Sequence, residues 1–202
     1  MRLLTKKSKI LKRLFDFTFA LLGIVFLWWL ICILVLLATI DTKQIGLFSQ
    51  KRIGYLGKSF LILKIRTMKA NRYITTTITS SNDLRLTDFG RFLRRYKLDE
   101  LPQLINVLFG SMSFVGPRPD VVGFADKLVG DDRVILLVKP GLTGPASIFF
   151  RNEEELLAEK ENPEEYNRNV IWPKKVAMNK SYIKNYSFQT DIKILLKTIF
   201  NV

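Results

Sequence analysis

Residues 17–40 read FTFALLGIVFLWWLICILVLLATI, a run of 24 residues without a charge. As a helix it would extend about 36 Å, enough to cross a hydrocarbon core. Its flanks are basic on both sides: Lys6, Lys7, Lys9, Lys12 and Arg13 before it, Lys43, Lys51, Arg52 and Lys58 after it. The positive-inside tendency keeps both flanks in the cytoplasm, which predicts a helix that enters the membrane and returns. Hydropathy alone would equally allow a single pass. Trp28 and Trp29 stand at the middle of the run, whereas tryptophan prefers the headgroup level at a helix end. A secretory signal is disfavoured by the length and by the lack of a small-residue cleavage site before Asp41.

Outward from this run the charge is uneven. The 202 residues carry a net charge of +14. Residues 1–16 are net +5, residues 42–98 net +11, and residues 99–202 net −1. A positive excess confined to the first half predicts a polyanionic partner: anionic lipid, a phosphorylated substrate or nucleic acid. The chain contains no histidine and one cysteine, Cys32. Histidine-based acid–base and nucleophilic catalysis, zinc sites ligated by histidine or by four cysteines, and intrachain disulfides are thereby excluded. Chemistry has to rest on carboxylates, Lys, Arg, Tyr, hydroxyls or an oxygen-bound metal.

Beyond the run, LFSQKRI (47–53) and SFLILKIR (59–66) flank Gly54 and Gly57, a hairpin pattern. Alternation puts Lys64 and Arg66 on one face, either a solvated face or a cationic floor for phosphate. Residues 70–86, with the run Thr75–Thr79, read as a loop. Thr87 or Asp88 can cap a helix reaching Tyr96, with Arg91, Arg94 and Arg95 on one face. In LDELPQLINVLFG, Asp99 is a candidate N-cap with Glu100 in the first turn. Leu101, Leu104, Ile105 and Leu108 would form the buried stripe, and Gly110 the stop. Read locally, such carboxylates serve as cap and dipole complement. Arg118 lies between Pro117 and Pro119, a stiff mount for one phosphate-binding fork. KPGLTGP (139–145) reads as a turn. NEEELLAEKE (152–161) is an acidic helix. TDIKILLKTIF (190–200) places Ile192, Leu195, Leu196, Ile199 and Phe200 at helical spacing, to dock on the core or lie in a membrane interface.

The order and spacing of these pieces closely resemble the bacterial sugar transferase family, the monotopic phosphoglycosyl transferases. The matching segments are KRLFDF (12–17), FSQKRIGYLGKSFLILKIRTM (48–68), LTDFGRFLRRYKLDELPQLINVLFGSMSFVGPRP (86–119), KPGLTG (139–144) and NYSFQTDIKILLKTI (185–199). The resemblance implies a predominantly α, α+β fold. A membrane-inserted, re-entrant helix (1–41) would precede a small cytoplasmic domain (42–202) with a hairpin and amphipathic interfacial helices. It implies an enzyme on the cytoplasmic face of the inner membrane. A sugar-1-phosphate would pass from a UDP-sugar to polyprenyl phosphate, with release of UMP, to begin surface glycan assembly. Asp99 and Glu100 would be the catalytic dyad, Asp99 the nucleophile and ligand of a magnesium ion. Lys64, Arg94 and Arg118 would hold substrate phosphates.

Elementary chemistry is compatible with those roles, since carboxylates are hard ligands and competent nucleophiles and three cations can neutralise a diphosphate. The sequence departs from the family at three points. Trp28-Trp29 replaces the Ser-Pro step that members carry in the membrane helix, Gln44-Ile45 replaces a Gly-Pro before the hairpin, and Pro145-Ala146-Ser147 follows KPGLTG. The competing reading is a non-catalytic, membrane-anchored binder of lipid headgroups. It gives no reason for the Asp99-Glu100 and Arg118 context. A nucleic-acid partner is not expected, because no recognition motif accompanies the basic charge.

Overall fold

The computed structural model describes residues 5–70 and 83–200. The expected loop at Thr75–Thr79 lies outside the described residues. The architecture is α+β and mainly helical, as expected. A long helix, α1 (Lys6–Thr42), precedes an antiparallel hairpin of β1 (Leu47–Ile53) and β2 (Ser59–Ile65). Next come α2 (Asp88–Arg95), a 3-10 turn at Leu98–Glu100, and α3 (Gln103–Leu108). Two short strands, β3 (Ser113–Val115) and β4 (Gly141–Thr143), pair in parallel. The chain ends in α4 (Pro145–Phe149), α5 (Glu153–Ala158), α6 (Pro163–Tyr166), α7 (Trp172–Lys184) and α8 (Phe188–Phe200).

Helix α1 contains no proline and runs unbroken through Trp28-Trp29. The reversal within the run that re-entry through a Ser-Pro step would produce has no counterpart here, because nothing in this sequence interrupts the hydrogen-bond ladder. Instead the helix lies lengthwise on the rest of the protein. Its buried positions fall in two groups at helical spacing, Lys12, Asp16 and Ala20 toward one end and Leu34, Ala38 and Thr42 toward the other. Ala20 packs with Ile62, Val107 and Met112, and Leu34 and Ala38 with Ile65 and Leu93. Small side chains at Ala20 and Ala38, both fully buried, permit close approach.

The N-terminal part of α1 is fastened by charge. Lys12 Nζ donates to the Val115 carbonyl at 2.8 Å and pairs with Asp191 at 2.5 Å. Asp191 also accepts from Tyr182 and Tyr186, so its carboxylate is fully satisfied. Arg13 donates to the carbonyls of Val107 and Leu108, the last turn of α3. Asp16 accepts from Ser113 Oγ and the Phe114 amide. Lys12 and Arg13, expected in the basic belt, are thus turned inward. Lys6, Lys7 and Lys9 remain exposed.

The outward face of α1 is apolar, with Phe26 at 69% exposure and Trp28 at 59%. It is long and apolar enough to cross a membrane by length and composition. Helix α8 docks through Asp191 and Ile194, while Leu196, Ile199 and Phe200 stay exposed. The sequence left the Ile192–Phe200 stripe free either to dock on the core or to lie in a membrane interface. Its docked side runs through Asp191, drawn in by Lys12 and two tyrosines, Ile194, Leu195, which packs on the core, and Thr198, whose hydroxyl lies 2.8 Å from that of Thr143.

Candidate active site

Two segments of the hairpin and two tight loops meet at one point. The hairpin forms with the expected strands, and its register sets Phe48 opposite Lys64. Lys64 therefore projects from the face that also carries Gln50 and Arg52. Arg66, its expected companion, donates to the Ile45 carbonyl and lies over Phe48. The cationic floor is formed by Lys64 without Arg66.

Thr87 caps α2 by accepting from the Gly90 amide, as expected. After α2 the chain turns at Lys97, a non-glycine residue at φ 56°, into the 3-10 turn that holds Asp99 and Glu100. Asp99 was expected to cap the following helix. It does not: α3 starts four residues later and has Pro102 at its cap position with no side-chain cap. A proline cannot donate, so the cap that the local reading assigned to Asp99 has less to satisfy. The α3 stripe also differs. Gln103, Leu104, Asn106 and Val107 are buried, whereas Leu101, Ile105 and Leu108 are half-buried, because α1, the hairpin and β3 surround this short helix.

The loop bearing Arg118 is built on the two parallel strands. Gly116 N donates to Thr143 O, and Gly141 N to Pro117 O, both at 2.9 Å. A Cβ on Gly141 would lie 2.2 Å from Gly116 N, so glycine permits the backbone contact. The segment read as a plain turn is thus the strand that supports Pro117–Pro119 and fixes Arg118.

Arg118 engages Glu100 with both terminal nitrogens, Nη2 on Oε1 and Nη1 on Oε2 at 3.4 Å. Lys64 Nζ reaches Glu100 Oε1 at 3.2 Å and stands 3.9 Å from Asp99 Oδ2. Asp99 Oδ1 is buried with no hydrogen-bond partner among the described residues. The adjacent carboxylates are pushed apart. Burial raises the Asp99 carboxyl above the usual range, against the pull of Lys64. Burial also acts on Glu100, but Arg118 and Lys64 outweigh it and hold Glu100 well below its ordinary value. Burial lowers the Lys64 ammonium, with Glu100 opposing.

Arg94 is the expected site residue that the structure connects least directly. Its Nε donates to Thr67 Oγ1 at 3.0 Å, and its Nη1 pairs with Glu154 at 2.9 Å. It acts on Asp99 through its field. The sequence reading missed the surrounding shell of Arg52, Asp120, Glu153, Glu154 and Lys175. Lys175 pairs with Glu153 at 2.6 Å, and both influence Asp120, whose carboxyl burial pushes up to about 6. Arg52 stood in the quoted QKRIG segment and Glu153 and Glu154 in the acidic NEEELLAEKE helix; nothing local marked Asp120 or Lys175.

Among the described residues no group of three or more carboxylates, histidines or cysteines could enclose a metal ion. The donor set does fit magnesium shared with a substrate, because that ion commonly takes one or two carboxylates and completes its shell with phosphates and water. Asp99 Oδ1, buried and unpartnered, is the free hard oxygen.

The chain matches the bacterial sugar transferase family over residues 7–202. It is 37% identical over 199 residues to a UDP-glucose:undecaprenyl-phosphate glucose-1-phosphate transferase of Escherichia coli, covering 96% of this chain and 40% of that protein. It is 36% identical over 200 residues to the uncharacterized sugar transferase EpsL of Bacillus subtilis, covering 96% and 87%. With the undecaprenyl-phosphate galactose phosphotransferase of Salmonella typhimurium it shares 32% over 209 residues, covering 96% and 40%. The chain therefore spans about two fifths of the length of the Escherichia coli and Salmonella relatives and most of EpsL.

Proposed function

The chain belongs to the bacterial sugar transferase family, and on that footing we propose that it transfers a sugar-1-phosphate from a UDP-sugar to a polyprenyl phosphate. The observation that carries this reading is the division of labour in the dyad. Glu100 is clamped by two cations, while Asp99 keeps one buried oxygen free.

In the first step an Asp99 carboxylate oxygen attacks the sugar-bearing phosphorus. The bond from that phosphorus to the bridging oxygen breaks, and UMP leaves with that oxygen. In the second step an oxygen of the lipid phosphate attacks the same phosphorus, and the aspartyl–phosphorus bond breaks to free Asp99. The product is a polyprenyl-diphosphate sugar. A carboxylate nucleophile replaces one demanding displacement by two easier ones. Arg118 and Lys64, already positioned by Glu100, neutralise charge on the phosphates without reorganising. Glu100 stays ionised and holds both cations in place. Asp99 Oδ1, together with the diphosphate, would hold a magnesium ion, which supplies charge neutralisation when bound.

The packing of α1 supports a particular membrane seating. Lys12 and Ala38 are 26 residues apart, about 39 Å along a helix, and both are buried against the same domain. A helix crossing the bilayer along its normal would take that domain across with it. We therefore place α1 along the membrane surface, its apolar face in lipid, with both ends and the site on the cytoplasmic side. The exposed Leu196, Ile199 and Phe200 extend the lipid-facing surface. A site at that boundary can receive a water-soluble nucleotide sugar and a membrane-bound lipid phosphate, as the first membrane-bound step of glycan assembly requires.

The test is a panel of UDP-sugars with undecaprenyl phosphate, read by UMP release with magnesium present and after exhaustive chelation. One sugar should release UMP, and only with the metal. A lipid-headgroup binder would release none.

A further inference from the structure

The hairpin carries one more cation at this site, and the reaction outlined above leaves it without a role. On β1, Phe48, Gln50 and Arg52 share a face, opposite Lys64, Ile62 and Phe60 of β2. Arg52 and Lys64 thus project from the same side of the hairpin. Arg52 does not stand straight out. Its Nε and Nη2 donate to Gln50 Oε1 at 3.2 and 2.7 Å, which turns the guanidinium back along the strand toward Lys64. Its Nη1 donates at 3.4 Å to the carbonyl of Pro119, the residue after Arg118.

Those three bonds engage three of the five guanidinium N–H groups and leave two. All the acceptors are neutral. Among the described residues no carboxylate lies within ion-pair distance of Arg52. Lys64 and Arg118, by contrast, both reach Glu100. Arg52 and Arg118 repel one another, and both oppose the charge on Lys64. Burial, followed by Arg118, lowers the Arg52 guanidinium to about 10, against the more distant pull of Asp120 and Glu100. A half-buried guanidinium aimed by neutral acceptors toward like charges is unfavourable by itself and becomes favourable when an anion arrives.

We propose that Arg52, aimed by Gln50, is a phosphate-binding residue of this site, and that its two free N–H groups take phosphate oxygens beside Arg118. The inference rests on the phosphoryl-transfer reading. Two substrates could supply those oxygens: the diphosphate of the nucleotide sugar and the phosphate of the polyprenyl lipid. The bland alternative is a brace, in which Arg52 only steadies the loop through the Pro119 carbonyl.

The experiment is titration calorimetry of inorganic diphosphate into the full chain in detergent with magnesium. Wild type, Arg52→Ala and Gln50→Glu are compared, with melting temperatures recorded. Arg52→Ala should bind about 10- to 100-fold more weakly, the loss expected for charge-assisted hydrogen bonds. Gln50→Glu keeps the arginine and its reach to Pro119 but gives the guanidinium an anion of its own. It should weaken diphosphate binding while melting no lower than wild type, and it decides the question if Arg52→Ala does not fold. A brace would leave Gln50→Glu binding unchanged. In turnover, a raised KM for the UDP-sugar alone assigns Arg52 to the nucleotide, and a raised KM for the lipid alone assigns it to the acceptor. Equal diphosphate affinity in wild type and variants, no diphosphate binding by wild type, or unchanged KM for both substrates overturns the proposal. Diphosphate binding that depends on Arg52, without UMP release from any UDP-sugar, would instead reject the reaction and keep the anion site.

Discussion

Arg118 forks onto Glu100 and leaves the preceding residue, Asp99, with a buried oxygen that no partner satisfies among the described residues. Neighbours in sequence, the two carboxylates have opposite environments. Glu100 is neutralised by its partners and depressed, whereas Asp99 is desolvated and raised. Such a split assigns different tasks to like groups.

The nucleophile is tested by mass. Intact protein incubated with its cognate UDP-sugar and no lipid should gain one phosphosugar, and Asp99→Asn should gain none. Asp99→Asn should also melt at or above the wild-type temperature at neutral pH, because it removes an ionised group with an unpartnered buried oxygen. Full turnover by Asp99→Asn would end the assignment. Glu100→Gln should lose most turnover, since Lys64 and Arg118 would lose the charge that positions them.

Arg118 should not tolerate lysine. Arg118→Lys keeps the charge but cannot reproduce the two-nitrogen fork on Glu100. Both Arg118→Lys and Arg118→Ala are expected to fall at least about tenfold in kcat/KM, in line with the loss of a charge-assisted bidentate pair. Near-normal rates for lysine would reduce Arg118 to a point charge.

The acid side of the pH–rate profile should report Asp99. Its carboxyl is raised, and only the ionised form attacks. Activity should therefore be lost as pH falls through a midpoint above the ordinary aspartate value of 3.8. Glu100, held low, contributes nothing in that window. Lys64 acts to lower the Asp99 value, so Lys64→Met should shift the limb to higher pH as well as slow the reaction. A limb that ignores Lys64→Met would show that another group titrates.

The anchor of α1 should be sensitive to removal of one partner. Lys12→Met leaves Asp191 buried without its cation and should destabilise the fold by about 3–5 kcal/mol in urea unfolding. Lys12→Met combined with Asp191→Leu should recover part of that loss. No recovery would mean that the tyrosines, more than the ion pair, hold α8 to α1.

Topology is tested by cysteine labelling in intact cells, in a Cys32→Ser background. Cysteines at Ser8 and Ser59 should both resist a membrane-impermeant maleimide until the cells are permeabilised. Labelling of the Ser8 position alone would mean that α1 spans the bilayer, and the lengthwise seating would fail while the enzyme reading survived.

By itself the sequence determined what is encoded locally. Gly54 and Gly57 bound the hairpin strands, Thr87 starts α2, and the uncharged run with no proline yields one unbroken helix. The side-by-side placement of Asp99 and Glu100 and the proline mount of Arg118 were also legible there. These depend on backbone preferences and on spacing over a few residues. Only the tertiary structure decided which side chain meets which. Lys64 reaches Glu100 across 36 positions and Arg94 turns to Glu154 across 60, while Lys12 finds Asp191 across 179. It also decided that Asp99 caps no helix and that Lys12 and Arg13 point inward. The energy of a buried charge is set by whatever surrounds it in space. Periodicity along the chain carries no record of a partner contributed by another element.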